Sequence, residues 1–150
     1  MNDALLEVAA LEASLGVKGK DGGPFGAVIT DKNGNIICKA HNMVLSTQDV
    51  TAHAEIMAIR EACRILDTHD LSDYVLYSSC EPCPMCLSAL HLAKVKEIYF
   101  ANTREDAAEI WFDDSKIYKA LKNSAHKKLI PSYELERNDA SKVFDERKKR

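Results

Sequence analysis

The chain has 150 residues, 46% of them apolar and 29% charged, which is enough apolar material for one sizeable core and the usual length of one domain. Six Gly and four Pro exclude a collagen-like or disordered composition. Twenty basic against 23 acidic side chains leave a net charge of −3, which argues against a nucleic acid backbone or an anionic membrane as main partner and leaves small molecules. No apolar run approaches the roughly twenty residues of a membrane span. The acidic start Met1-Asn2-Asp3 is unlike the basic opening of a signal peptide, so the expected location is the cytoplasm.

Ala4, Leu5, Val8, Ala9, Leu11 and Leu15 recur at three- and four-residue steps and predict an amphipathic helix from Asn2 to Leu15, with Gly16 near its end. Gly22-Gly-Pro24 interrupts the pattern. Phe25–Thr30 then predicts a buried strand, Asp31–Asn35 a tight turn, and Ile36 onward the hairpin partner, running out near Asn42. Asp49–Thr51 offers helix-start chemistry ahead of Ala52–Leu66, where Ile56, Ile59, Ala62, Cys63 and Leu66 form one stripe. Tyr74–Ser78 is a strand-type run, Pro84–Ala93 a helix and Val95–Ala101 another strand. After the first hairpin, this alternation of helix and strand implies parallel pairing through crossovers and helices over both faces, a three-layer α/β/α sandwich. Arg104–Leu121 is expected as two helical pieces, broken around Trp111–Ser115 where an Asp or Ser can cap the second. Ile130–Leu135 is a candidate edge strand, because Pro131 cannot donate to a ladder, and a short basic helix ends the chain. No linker or repeat divides the sequence, so residues 1–150 are expected to form a single domain.

Three of the five cysteines crowd into Cys80-Glu-Pro-Cys83-Pro-Met-Cys86, a spacing suited to holding a metal, whereas Cys38 and Cys63 lie among apolar residues. Pro84 fits the first position of a helix, which puts Cys83 at its cap and Cys86 three residues on, on the same face. The orphan N–H groups there favour the thiolates a metal requires. His53-Ala-Glu55 opens another helix, and the strand between the two helices brings both starts to one sheet edge. Residues two apart in an ideal helix point about 200° away from each other, so His53 and Glu55 converge only if His53 sits in an unwound first turn. One neutral imidazole and two thiolates balance the charge of Zn²⁺ and leave a fourth position for water, beside which Glu55 can shuttle protons. The alternative is a closed structural site with Cys80 as fourth ligand, which gives Glu55 no task. A redox role for Cys80 and Cys83 would compete with ligation.

The pairing of H-x-E with P-C-x-x-C is the signature of zinc deaminases, and the chain resembles the cytidine deaminase superfamily, its bacterial guanine deaminase branch above all. The resemblance runs through Gly22–Ile29, Asn42, Thr51–Glu55 and Ser79–Cys86. Asp106-Ala-Ala-Glu109, Phe112-Asp-Asp-Ser115 and Ile117-Tyr118 discriminate that branch from the cytosine, cytidine and transfer-RNA adenosine branches. It implies a cytidine deaminase-like fold with a mixed central sheet and the hydrolytic deamination of guanine, a small purine base, to xanthine and ammonia. His53, Cys83 and Cys86 are then the zinc ligands and Glu55 the catalytic proton shuttle. Asn42 becomes a hydrogen-bond partner of the base, Phe25 an aromatic wall and Asp114 a reader of the guanine edge. Adjacent N–H donors at guanine N1 and N2 suit a single carboxylate. The same chemistry would serve another small amino-substituted heterocycle, such as a pterin, triazine or pyrimidine; a transfer-RNA deaminase fits the acidic body less well.

Each pocket residue also has a plainer role open to it. Phe25 fits an apolar core, Asn42 can close a turn and Asp114 can cap a helix. Trp111 is expected to pack. His41, His69, His91 and His126 are lone histidines of the kind that usually sit on the surface or are satisfied in the core. The resemblance further implies a homodimer whose C-terminal segment is exchanged between subunits and closes over the neighbouring site. Here the end of the chain departs from the branch: it lacks an aromatic last residue, and residues 137–150 carry six basic and three acidic side chains.

Overall fold

In the computed structural model, which describes residues 3–122, 130–135 and 138–149, the turn predicted at Asp31–Asn35 closes the hairpin on which the sheet is built. Asp31 Oδ1 accepts the N–H groups of Asn33 and Asn35, each at 2.9 Å, and Gly34 takes the positive φ of 86° that the reversal needs. The hairpin joins β1 (Gly26–Asp31) to β2 (Ile36–His41). Sequence and structure agree on these elements to within a residue or so.

The remaining strands are β3 (Tyr74–Cys80) and β4 (Glu97–Asn102), and the sheet order is β2-β1-β3-β4. Only β3 and β4 pair in parallel; β1 pairs antiparallel with both β2 and β3. The expected parallel pairing holds for the crossover from β3 to β4 and is corrected for the one from β2 to β3. The connection that leaves β2 passes over β1, so β3 comes to lie parallel to β2 without touching it, and the central sheet is mixed.

Helix α1 (Asp3–Lys18) covers one face, with Leu5 and Ala9 packed on Val28, Val75 and Tyr77. It runs through Gly16 rather than stopping there. Gly16 is buried against His41, where a Cβ would lie 2.7 Å from the ring Cδ2. After a single turn, α2 (Val44–Thr47), helix α3 (Ala54–Leu66) and helix α4 (Pro84–Leu92) cover the opposite face. The predicted stripe of α3 is rotated: Ala54, Ala58 and Ala62 are its buried centre, and Ile59, Cys63 and Leu66 flank them. Small side chains let the helix approach the sheet closely, so the larger ones are pushed to its margins. The result is the expected three-layer α/β/α arrangement.

By internal contacts the chain divides into two units, Met1–Ser115 and Lys116–Arg150. The first ends with α5 (Arg104–Glu109), whose Thr103 and Asp106 form a reciprocal capping box. Beyond it lie α6 (Ser115–Lys122) and α7 (Asn138–Lys148), the two later helical pieces expected from the sequence. Residues 130–135 form no strand, because a strand needs a ladder partner and Pro131 withholds a donor. Ile130, Tyr133 and Leu135 are exposed. Asn2 and His126 lie outside the described residues. Among those described, no helix is long and apolar enough to cross a membrane.

Candidate active site

His53 is the N-cap of α3, with an extended backbone (φ −67°, ψ 157°), and Glu55 is the second residue of its first turn. That unwound cap removes the angular conflict between residues two apart. Cys83 is the N-cap of α4 with Pro84 after it, and its sulfur accepts the N–H of Cys86 at 3.5 Å. Helix α3 follows β2 and helix α4 follows β3, two mutually parallel strands on either side of β1, and their starts bring His53 Nδ1 within 3.5 Å of the sulfur of Cys83 and within 3.5 Å of that of Cys86.

These three ligand atoms are the metal-binding group found among the described residues. Zinc bonds of about 2.0 Å to nitrogen and 2.3 Å to sulfur imply a tetrahedral N···S edge of about 3.5 Å, which is the separation observed. The donor set therefore fits zinc. Cys80 does not join it; its thiol points to the carbonyl of Thr103 at 3.7 Å, and burial pushes its pKa up to about 11. The closed four-ligand site accordingly has no support, and a Cys80 that stays a thiol is a poor redox partner. Cys38 is a core thiol bonded to the Ala58 carbonyl at 3.3 Å.

The charges around this trio are strongly coupled. The hydrogen bond from the Cys86 thiol holds the Cys83 thiolate down to about 4 against burial, with help from His53, and the same bond pushes Cys86 upward. Its bond to Cys83 raises His53. Glu55 is buried, with its carboxylate at the Cys86 thiol, and burial pushes its pKa up to about 7. A carboxyl group poised there can take and return a proton near neutral pH.

A cavity of about 580 Å³ opens from these residues, and Phe25, Asn42 and Asp114 all line it. Phe25 packs on the core and meets Phe112 edge-on, the ring centroids 5.0 Å apart. Asn42 closes a turn, its Oδ1 accepting the Val44 N–H at 3.0 Å, and it also lines the cavity. The backbone bond expected of a cap falls to Asp113, whose Oδ1 accepts the Ser115 N–H at 2.9 Å. Asp114 instead lies close enough to His53 and Cys83 to feel their charge, and burial raises its pKa. Trp111 does not pack; it is 93% exposed at the cavity rim with φ 71°. Phe112, Glu81 and Arg104 line the cavity too. Phe112 belongs to the discriminating Phe112-Asp-Asp-Ser115 motif, whereas no sequence signal marks Glu81 or Arg104 as cavity residues.

Comparison with known proteins agrees with this geometry. Residues 1–102 match the family described as the cytidine and deoxycytidylate deaminase zinc-binding region. A guanine deaminase of Bacillus subtilis is 47% identical over 134 residues, 89% of this chain and 85% of its own length. The X-ray structure of guanine deaminase from Bacillus subtilis superposes with a TM-score of 0.93 at 43% identity, over 100% of this chain and 96% of that one. A tRNA-specific adenosine deaminase of Aquifex aeolicus is 47% identical over 96 residues, 64% of this chain and 62% of its own length. The paired helix caps, the sheet beneath them and these matches place the chain in the cytidine and deoxycytidylate deaminase zinc-binding family.

Proposed function

We infer that the protein is a zinc-dependent guanine deaminase, converting guanine and water to xanthine and ammonia. The observation that carries the reading is Asp114: a carboxylate from outside both zinc motifs shares one cavity with His53, Cys83 and Glu55. It can accept from the adjacent N1 and N2 donors of guanine, an edge that adenine and cytosine do not offer. The likeness to the Bacillus subtilis enzyme also extends past the zinc motifs, whereas the transfer-RNA enzymes match shorter stretches.

His53, Cys83 and Cys86 would hold the metal. When bound, zinc supplies Lewis-acid activation of water near neutral pH. With the metal held there, Glu55 would take one proton of water as its oxygen adds to C2 and deliver it to the adjacent ring nitrogen. It would then take the proton of the new C2 hydroxyl and give it to the amine as the C2–N2 bond breaks and the C2 carbonyl forms. Asn42, with its Oδ1 engaged by Val44, offers its amide N–H groups to a ring acceptor, and Phe25 and Phe112 wall the ring.

We also assign a homodimer in which the C-terminal segment is exchanged. Among the described residues of 116–150 only Ala120 is buried, while Ile130, Tyr133, Leu135, Val143 and Phe144 are exposed. Such a short segment cannot bury its own apolar groups and needs a second surface. Five cysteines outside any disulfide, two of them assigned to zinc, suit the reducing cytoplasm, and conversion of guanine to xanthine is a step of purine metabolism.

The test is ammonia release by zinc-loaded protein from guanine, adenine, cytosine, their nucleosides and small triazines. Release from guanine alone is expected; release only from another ring would retain the zinc chemistry and discard the assignment of Asp114.

A further inference from the structure

His41 stands outside the zinc site, yet both of its ring nitrogens are committed. Nδ1 lies 3.0 Å from Glu12 Oε2 on α1, and Nε2 lies 2.8 Å from Asp21 Oδ2 in the loop after it. Carboxylates only accept, so two such bonds require both ring N–H groups, which is the imidazolium form. The ring lies against the bare Cα of Gly16, which brings no charge. Glu12 and Asp21 are the charged groups facing it among the described residues. Burial pushes the ring pKa down, but the bonds to Glu12 and Asp21 outweigh it and leave the group above its ordinary value.

From this ring a short chain of bonds runs to the substrate cavity. The Asp21 N–H donates to the Gly16 carbonyl at 2.9 Å, and the Asp21 carbonyl accepts the N–H groups of Leu45 and Ser46 at 2.9 and 3.0 Å, which seats α2. Next to Asp21, Gly22 packs on Asn42 so closely that a Cβ would lie 2.1 Å from Asn42 Oδ1. Asn42 follows His41 directly, and its N–H donates to the Phe25 carbonyl at 3.0 Å. Gly22, Phe25, Asn42, Val44 and Leu45 all line the cavity.

We propose that His41 is a positioning residue for base binding, whose doubly protonated ring clamps α1 to the Asp21 loop and thereby sets Asn42 and the α2 wall. The proposal rests on the reading of Asn42 as a partner of the base. It makes KM for the base depend on the charge of a histidine that touches no substrate, while kcat, set at the zinc side, stays with Glu55.

The experiment measures kcat and KM for guanine from about pH 6 to about pH 9 in the zinc-loaded wild type, His41→Gln and Glu12→Gln, with the His41 ring ¹⁵N shifts of the wild type recorded alongside. A wild-type KM rising on the order of tenfold with pH is expected. His41→Gln should have a high, flat KM, and Glu12→Gln should shift the rise to lower pH, kcat being preserved in all three. Any titration of guanine itself is common to wild type and variants and cancels. Identical KM profiles in wild type and Glu12→Gln, or a neutral ring near pH 7, would overturn the clamp, the second without requiring that any variant fold. No guanine turnover in the wild type would instead overturn the functional reading and leave the ring shifts to decide the clamp.

Discussion

Glu55→Gln keeps the shape of the buried side chain but cannot take a proton. Turnover of guanine is therefore expected to fall by about 10²–10⁴-fold with zinc content and melting temperature retained, measured by ammonia release beside metal analysis; a mutant that turns over normally would show that Glu55 is merely buried. Asp114→Asn exchanges an acceptor pair for one acceptor and one amide. Loss of a charge-assisted bond of about 1.5–3 kcal/mol should lower kcat/KM for guanine roughly 10- to 100-fold, while folding, read by circular dichroism, is unchanged because the turn bond belongs to Asp113. At this scale the meeting of His53, Cys83 and Cys86, with Glu55 in the first turn of α3, was legible from sequence, since helix caps are local signals. The partners of His41 were not: Glu12 and Asp21 are 29 and 20 residues away, and nothing in the spacing announces them.

Among the elements, α1 depends on a missing side chain. At Gly26 of β1 a Cβ would sit 2.0 Å from the Ala9 carbonyl oxygen and 2.7 Å from the Ala13 nitrogen, both backbone atoms of α1. Gly26→Ala must therefore lift α1 off the sheet, with an expected loss of more than about 3 kcal/mol, beyond ordinary overpacking, in chemical denaturation; a midpoint near that of wild type would mean that the helix yields without cost. The strand and helix spans could be read from periodicity, but the pairing of β3 with β1 could not, because it depends on which edge of the hairpin the chain reaches after α3. The rotated face of α3 was hidden for a related reason: hydrophobicity marks Ile and Leu, whereas close approach selects Ala.

For the whole molecule, the buried Glu55 links stability to metal. Its folded pKa of about 7 in the metal-free protein stands above the ordinary carboxylate value of 4.5, so the native state holds a proton that the unfolded chain releases. That contribution is fully present below about pH 4.5, and is lost as pH rises through about 7, amounting to on the order of 3 kcal/mol. Chelated wild type should thus lose stability across that window relative to chelated Glu55→Gln, as read in thermal melts; parallel curves would exclude the linkage. Sedimentation at working concentration is expected to give a dimer, and a monomer would remove the exchanged segment. The zinc ligands and every residue lining the cavity belong to Met1–Ser115. Synthesis runs from the N-terminus at roughly 5–20 residues per second, so the ligand set is complete seconds before the last 35 residues exist. The ligands and the segment assigned to subunit exchange thus occupy separate stretches of chain, and removing residues 116–150 would take away no zinc ligand and no residue of the cavity wall.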